Sequence, residues 1–236
     1  MIPVRSPKNY NRCKTSNGVK TVTKKAPVIL IAAGPTREKI DPVRFISNYS
    51  TGKFGYALAG EAIRRGARVT LVSGPTCLEA PQGVKLICVE SAIEMRRAML
   101  SELNRADYVI MSAAVSDWRL KKVSSRKIKR SSCKVTLELV ENPDILSEIC
   151  ARKAGRVVAG FALETENLET NALKKLLGKN ADIIVANALK RRSAVFGDNN
   201  TDIVIIDRLG NKVRARNRPK KEMAGIILDK ILSFNI

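Results

Sequence analysis

The sequence predicts an α/β fold of three layers, in which helices cover both faces of a mostly parallel, doubly wound sheet. Short apolar runs rich in β-branched residues alternate with helical patterns from Val28 onward. Polar segments follow several of these runs, at the strand ends where such sheets bind ligands. The chain has 236 residues, of which 44% are hydrophobic, so a sizeable core is expected.

The predicted strands and the first two helices follow from local signals. The first helix covers about 53–65 and ends at Gly66, a glycine suited to the left-handed position after a helix. The second begins at Ser91, with Glu94 three residues later as a capping box, and ends near Leu103. The predicted strands, all short and apolar, are 28–33, 68–73, 84–89, 107–113, 134–140, 157–161, 182–186 and 202–206.

The third helix is predicted to follow Asn142 and Pro143, with the asparagine as N-cap and the proline in the first helical position. Two further helices are expected over about 166–178 and 220–233. The stretch 114–133 has no hydrophobic periodicity and is rich in Lys, Arg and Ser, so a long loop is predicted there.

The N-terminal residues 1–26 are basic, polar and aperiodic, which predicts a flexible basic extension. Residues 27–236 then form the folded domain. No apolar run is long enough to span a membrane, and the N-terminus lacks the apolar region of a secretory signal. We therefore expect a cytoplasmic protein without a membrane partner.

The composition excludes several kinds of site. The chain contains no histidine, which rules out Ser-His-Asp and Cys-His catalysis and any histidine-ligated metal. Its five cysteines are irregularly spaced and form no C-x-x-C pair, so neither a disulfide framework nor a zinc site is expected. This cysteine content fits a reducing compartment. Mg²⁺ stays open because it prefers oxygen ligands.

The formal net charge of +21 is concentrated in three blocks without acidic residues, 1–25, 119–134 and 208–221. Such blocks suit a polyanionic partner, so a basic nucleic-acid-binding protein is an alternative hypothesis. A solvated basic surface explains the first and third blocks equally well. Aromatic residues make up only 4% of the chain, which is little for a base-stacking surface.

The most informative stretch, residues 44–55, reads R-F-I-S-N-Y-S-T-G-K-F-G and lies between the first strand and the first helix. Small, hydroxyl and amide residues around glycines at a helix start predict an anion site, because the free N–H groups and the helix dipole favour negative charge. Ser50 or Thr51 is expected as the N-cap. Asn48 is expected to face the ligand, and Arg44 to contact a phosphate or a carboxylate.

The glycines of this stretch have two interpretations. Gly52 and Gly55 either belong to a loose dinucleotide fingerprint or allow the helix to pack closely on the sheet. The strict G-x-G-x-x-G pattern is absent, which argues against a nicotinamide oxidoreductase.

Further candidates follow the later strands. Asp117 follows the fourth strand and suits ribose hydroxyls, a metal or a turn. The cations of 127–130 are either a solvated run or a mobile clamp over phosphates. Asp144 in the first turn of the third helix would repel a phosphate unless Mg²⁺ lay between them. Lys175 and Lys179 are four residues apart, so they share one helix face and are able to grip one anion.

Taken in order, these segments resemble phosphopantothenate–cysteine ligase, the synthetase half of the bacterial coenzyme A biosynthesis flavoprotein. The first of them, A-A-G-P-T-R-E-K-I-D-P-V-R-F-I-S-N-Y-S-T-G-K-F-G-Y-A-L-A, is long and highly specific. The resemblance extends over nearly all of 28–236. The matching segments are 32–59, 69–76, 111–119, 127–130, 141–146, 160–166 and 182–187.

The resemblance implies a Rossmann-like fold, a homodimer, and a two-step reaction that uses CTP with Mg²⁺ or Mn²⁺. It implies that Asn48 holds the activated acyl group, with Arg44, Ser50 and Gly52 in the same substrate-binding motif. Asn48 and Lys127 are the expected catalytic residues, and no metal ligand is predicted. The implied nucleotide-binding residues are Ser112, Ala113, Asp117, Lys127, Asn142, Pro143, Asp144, Ile145, Phe161, Lys175 and Lys179.

Relatives of this kind often carry a flavin-dependent decarboxylase in front of the ligase domain. Residues 1–26 are too short to hold one, and the histidine that it uses is missing. We therefore expect neither FMN nor decarboxylase activity. Nucleic acid is not expected as a partner beyond incidental charge binding, and 4′-phosphopantothenate, L-cysteine and CTP are the expected substrates.

Overall fold

The computed structural model describes residues 25–130, 134–164, 166–188 and 200–234, so the predicted basic extension lies almost entirely outside the described residues. The elements, in chain order, are β1 (Val28–Ala33), β2 (Arg37–Asp41), β3 (Arg44–Ser47), α1 (Lys53–Arg64), β4 (Arg68–Ser73), β5 (Lys85–Cys88), α2 (Ala92–Leu103), β6 (Tyr108–Met111), β7 (Trp118–Leu120), β8 (Leu139–Glu141), α3 (Ile145–Ala151), β9 (Val157–Glu164), α4 (Leu168–Lys179), β10 (Ile183–Ala188), β11 (Thr201–Asp207), β12 (Lys212–Arg218) and α5 (Lys220–Leu232).

The central sheet has eight strands in the order β12-β11-β10-β9-β6-β1-β4-β5. β1 pairs in parallel with β4 on one side and with β6 on the other. The chain therefore adds β4 and β5 on one side of β1 and then β6 and the later strands on the other side. This switch in strand order leaves a crevice at the carboxyl ends of β1 and β6. β11 runs antiparallel to β10, and β12 antiparallel to β11. The predicted mostly parallel α/β fold is confirmed.

Side chains that alternate along β1 separate the two halves of the core. Ile29 and Ile31 face the layer formed by α1 and α5, whereas Leu30 and Ala32 face the layer formed by α2, α3 and α4. Alternation of this kind follows from the two-residue period of a strand, and full burial on both faces follows from its central place in a parallel sheet. No helix in the described ranges is long and apolar enough to cross a membrane.

A protruding arm lies outside the central sheet and was not predicted. β2 and β3 form an antiparallel hairpin within the expected loop 34–52, and β7 and β8 form a second antiparallel pair. A backbone hydrogen bond of 3.0 Å from Ser124 N to Ile40 O joins the two pairs. We call residues 37–47, 118–130 and 134–141 the arm.

The predicted strand 134–140 is therefore wrong. Only its last two residues lie in a strand, β8, and that strand belongs to the arm. Val135, Leu137 and Leu139 supply the alternating apolar pattern, yet their side chains are exposed. The alternation that suggested a core strand marks an apolar surface of the arm. β12 was also missed, because its basic sequence lacks the apolar run of a core strand.

Two predicted helix caps are also wrong. Gly52, at φ 78°, is the N-cap of α1 in place of Ser50 or Thr51. Asp144 caps α3, because its side chain accepts a hydrogen bond from Ser147 N, so Asn142 and Pro143 lie before the helix. The cap of α2 is confirmed, since the Ser91 side chain accepts from Glu94 N.

Gly55 allows the first turn of α1 to lie directly on the sheet. A Cβ atom at Gly55 would come within 2.4 Å of the Ala33 Cβ and 2.7 Å of the Ser112 Oγ. The predicted role of this glycine in close helix–strand packing is thus confirmed. Gly60, one turn later on the same helix, has room for a methyl group, with Pro81 at 3.6 Å as its nearest neighbour.

These two glycines give a matched pair of substitutions. We expect Gly55→Ala to lower the free energy of unfolding by about 1–3 kcal/mol, the usual range for overpacking a tight site. Gly60→Ala should raise it by about 0.5–1 kcal/mol through helix propensity. Urea unfolding followed by circular dichroism measures both. Equal effects of the two substitutions would contradict the packing role of Gly55.

Candidate active site

An open cavity of about 610 Å³ lies at the carboxyl edge of the central sheet, at the switch point between β1 and β6. Residues 50–55 at the start of α1 form one side of it, and residues 111–118 after β6 line its base. Residues 141–146 before and within α3, the end of β9 and two lysines of α4 form the opposite side. Segments distant in sequence meet here because parallel strands end at the same edge.

The cavity gathers the predicted site residues with three exceptions, Arg44, Asn48 and Lys127. Those that line it are Ser50, Gly52, Ser112, Ala113, Asp117, Asn142, Pro143, Asp144, Ile145, Phe161, Lys175 and Lys179. Their roles toward ligands stay predictions, but their common location agrees with a single binding site.

Two aromatic rings form the part of the cavity wall that lies between α1 and β9. The rings of Phe54 and Phe161 meet edge to face, with their centroids 5.2 Å apart. The preferred geometry of such pairs holds the first turn of α1 against the end of β9. The main chain of Phe161 also anchors α4, because its carbonyl accepts a hydrogen bond of 2.8 Å from Lys175 Nζ.

The two predicted lysines of α4 have different surroundings. Burial lowers the pKa of Lys175, whose ammonium lies against the Phe161 carbonyl. Lys179 forms an ion pair with Asp144. Burial opposes the ionisation of Asp144, but the hydrogen bond from Lys179 holds its pKa below the ordinary value. Lys179 therefore compensates the negative charge that was expected to repel a phosphate.

Asn142 connects two segments of the cavity wall rather than capping α3. Its side-chain Nδ2 donates to Ser116 O at 2.9 Å, and its backbone N donates to Asp117 O at 2.8 Å. These bonds fix the segment before α3 against the segment after β6. Asp117 is held in the cavity wall through its backbone carbonyl, and the residue is exposed.

Asn48 lies at the border of the cavity. Its Nδ2 donates a hydrogen bond of 2.9 Å to Ala114 O, and Ala114 itself lines the cavity. The side chain is thus oriented by the segment after β6, next to the predicted nucleotide-binding residue Ala113.

Arg44 and Lys127 lie on the arm, and the structure does not bring them into this cavity within one chain. The Arg44 guanidinium pairs with the buried Asp41 carboxylate and donates to Ile128 O at 2.9 Å. Asp41 Oδ2 also accepts from Ile128 N at 3.1 Å. The pair therefore fixes the segment that carries Lys127, and both cations border a second cavity, of about 700 Å³, lined by arm residues.

The comparisons with known proteins agree with this geometry. The profile of the family described as DNA/pantothenate metabolism flavoprotein C-terminal domain matches residues 25–234. The chain belongs to this family. It is 44% identical over 208 residues to the coenzyme A biosynthesis bifunctional protein CoaBC of Bacillus subtilis, and 42% identical over 210 residues to that of Escherichia coli. These alignments cover 88% and 87% of this chain.

The chain spans about half the length of these curated relatives, 51% of each. A solved structure of the C-terminal domain of a CoaBC protein is 41% identical, with a TM-score of 0.75, and the match covers 87% of this chain and 93% of that one. The recognised resemblance to the synthetase half is thereby confirmed.

Several residues that line the cavity were not predicted from the sequence as site residues. Lys53 lay inside the recognised motif, but its role was not assigned. Lys220 was seen only as part of a basic block. The sequence pattern could not place Lys220 at the cavity, because the position of α5 depends on β12, a strand that was not predicted. The other unassigned lining residues that carry polar or aromatic groups are Thr51, Phe54, Ser116, Trp118, Glu141 and Asn187.

Several cations of the second and third basic blocks form ion pairs in the described part of this domain. Lys212 and Arg214 of the third block both form ion pairs with Glu169. Arg208 pairs with the buried Asp182, and Lys121 of the second block pairs with Glu138. This pairing weakens the nucleic-acid hypothesis for the third block, whereas the first block falls outside the described residues apart from Lys25.

The pairing of Asp41 with Arg44 makes a prediction about the segment that carries Lys127. Asp41→Asn should loosen residues 126–130. The neutral amide cannot form the ion pair with Arg44, and its single oxygen cannot accept hydrogen bonds both from Val43 N and from Ile128 N, which the two carboxylate oxygens of Asp41 accept separately. We expect faster trypsin cleavage after Lys127 and Lys129, and faster hydrogen exchange of the Ile128 amide. Asp107→Asn, at a carboxylate that accepts from Val28 N far from the arm, is the control. Unchanged cleavage in the Asp41 variant would contradict this role.

Proposed function

We propose that this domain joins 4′-phosphopantothenate to L-cysteine through an acyl-cytidylate, using CTP and releasing pyrophosphate and CMP, as a step of coenzyme A biosynthesis. One observation carries the proposal. Apart from Arg44, Asn48 and Lys127, the predicted site residues of the motifs that resemble the ligase family line one cavity at the switch point of the sheet. Membership of the flavoprotein C-terminal domain family and identity to CoaBC proteins support the same reaction class.

The first step forms the acyl-cytidylate. A carboxylate oxygen of phosphopantothenate attacks the α-phosphorus of CTP, and the bond to the bridging oxygen of the β-phosphate breaks, so that pyrophosphate leaves. This transfer depends on alignment and on neutralisation of the phosphate charge more than on a proton-transferring side chain. A site with lysines and without histidine suits such chemistry.

The second step forms the amide. The cysteine amine attacks the acyl carbon, the bond to the phosphate oxygen breaks, and CMP leaves while the amine loses a proton. The mixed anhydride is already activated, so the main task of the protein is to hold both reactants together. We assign Asn48 to this task, and the hydrogen bond from its amide to Ala114 O at the border of the cavity supports the assignment.

The metal ion enters as part of the substrate. Among the residues that the structure describes, no group of three His, Cys, Asp or Glu side chains is arranged to hold a metal ion. We therefore assign Mg²⁺ or Mn²⁺ to the phosphates of CTP, where it neutralises part of the charge, and no resident metal site is part of the proposal.

The proposal is tested by incubating the protein with MgCTP, phosphopantothenate and cysteine. We expect release of CMP that depends on cysteine, and little turnover when ATP, GTP or UTP replaces CTP. Asn48→Ala should lower the rate of CMP release by about 100-fold, the scale for one lost donor at a reacting group, with less effect on pyrophosphate release. Absence of cysteine-dependent CMP release from the wild-type protein would overturn the proposed function.

We further propose a homodimer in which the arm contacts a second copy of the chain. The arm exposes an unusual number of large apolar side chains, and surfaces of this kind mark association sites. Lys127 and Arg44 lie on this arm, away from the cavity of their own chain. The proposal is that Lys127 acts at the cavity of the partner. The exposed apolar residues of the arm are Val43, Phe45, Trp118, Val123, Val135, Leu137 and Leu139.

Mixed dimers of two inactive variants test this arrangement. Lys127→Ala should be inactive because its partner's cavity lacks a lysine, and Lys175→Ala because its own cavity is damaged. A refolded equal mixture should recover about a quarter of wild-type activity, because half of the dimers are mixed and each mixed dimer has one complete site. Mixing each variant with itself is the control. A mixture without activity would show that Lys127 acts within its own chain.

A further inference from the structure

Lys220 lines the cavity, and the proposed reaction assigns it no role. It is the first residue of α5, and its half-buried side chain lines the cavity together with Lys53, the first residue of α1. The next residue, Lys221, is exposed and does not line the cavity. The two lysines of α5 therefore have different surroundings although they are neighbours in sequence.

The strand topology explains why Lys220 reaches this cavity. β11 reverses the direction of the sheet, and β12 reverses it again, so β12 ends at the same edge as β1 and β9. α5 begins directly after β12 and packs along α1. Both helices thus start at the carboxyl edge, which places their first lysines on the same side of the cavity.

The two lysines are close enough to affect one another. Burial lowers the pKa of Lys220, and the nearby charge of Lys53 lowers it further. The positive charges of Lys53 and Lys220 repel each other across the cavity. An anion with several negative charges relieves this repulsion and is attracted by both, whereas a neutral ligand does neither.

The charges of the cavity differ between its two sides. The side formed by residues 141–146 and by α4 carries Glu141, Asp144, Lys175 and Lys179, and Asp117 lies beside it. Among the described lining residues contributed by 50–55, β10 and α5, the ionisable groups are Lys53 and Lys220. A carboxylate such as Asp117 suits hydroxyl groups, and the lysine side suits phosphates.

We propose that Lys220, together with Lys53, binds the β- and γ-phosphates of the nucleotide, the part that leaves as pyrophosphate. The nucleoside then lies toward Asp117 and α4, and the α-phosphate lies between the two sides. This inference rests on the proposed use of a nucleoside triphosphate. It adds a binding residue that neutralises the leaving group, next to the helix start where the α1 dipole acts in the same direction.

The test compares Lys220→Gln with Lys221→Gln in calorimetric titrations of CTP, CMP and pyrophosphate with Mg²⁺. Both substitutions remove one positive charge from adjacent positions of one helix, so they differ only in access to the cavity. We expect Lys220→Gln to weaken CTP and pyrophosphate binding by about tenfold or more, the range for one lost charge-assisted hydrogen bond. CMP binding should change by less than about twofold, and Lys221→Gln should bind all three ligands like the wild type.

In the ligase assay, the KM for CTP should rise in the Lys220 variant while the KM for phosphopantothenate stays unchanged.

Three results would overturn the inference. Unchanged CTP and pyrophosphate affinity in the Lys220 variant would remove Lys220 from the phosphate site. An equal loss for CMP would place it at the nucleoside end or make its effect one of general charge. A raised KM for phosphopantothenate alone would assign the lysine to the phosphate of the acyl substrate. If the wild-type protein releases no CMP in the ligase assay, the proposed function fails, whereas the titrations still decide where triphosphate binds.

Discussion

The contact between the first turn of α1 and the ends of β1 and β6 determines the shape of the site. Gly55 permits this contact, because any larger residue would collide with Ala33 and Ser112. The helix start thereby lies at the switch point itself, and Phe54 reaches the ring of Phe161 on β9. A helix displaced outward by the width of a methyl group would separate the two sides of the cavity.

The two sides of the cavity differ in charge. On the α4 side, acidic and basic side chains lie together, whereas the α1 side carries two lysines. Lys179 pairs with Asp144, and the remaining lysine of this side, Lys175, is accompanied by the carboxylates of Asp117 and Glu141, so this side has no excess of positive charge. The opposite side brings Lys53 and Lys220 together. An extended ligand with a polar, uncharged end and a highly charged end fits this distribution in one orientation. Orientation of this kind is what an in-line attack on the α-phosphorus requires.

Local sequence signals predicted the parallel part of the sheet and most of the site. The predicted strand 28–33 is a continuous apolar run, and 68–73 combines apolar and β-branched residues; their bounds agree with β1 and β4. The site residues after these strands were predictable because every parallel strand presents its carboxyl end at one edge. The caps were less predictable, since Asp144 and Asn142 are both good N-cap residues and only the tertiary bonds of Asn142 to Ser116 and Asp117 decide between them.

The arm lay beyond such local reasoning, and so did the position of α5 at the cavity, although the helix itself was predicted at 220–233. Long-range contacts determine both. Val135, Leu137 and Leu139 alternate like a core strand, but no layer of the domain covers them, so the same pattern marks an exposed surface. β12 is rich in Lys and Arg because it is an edge strand, and charged residues on an edge disfavour unwanted strand pairing. Its direction nevertheless decides where α5 begins. Composition alone assigns this basic segment to the solvent-exposed surface, yet it brings Lys220 to the cavity. The two reversals of chain direction at β11 and β12 explain why this lysine, which belongs to no recognised motif, lies there.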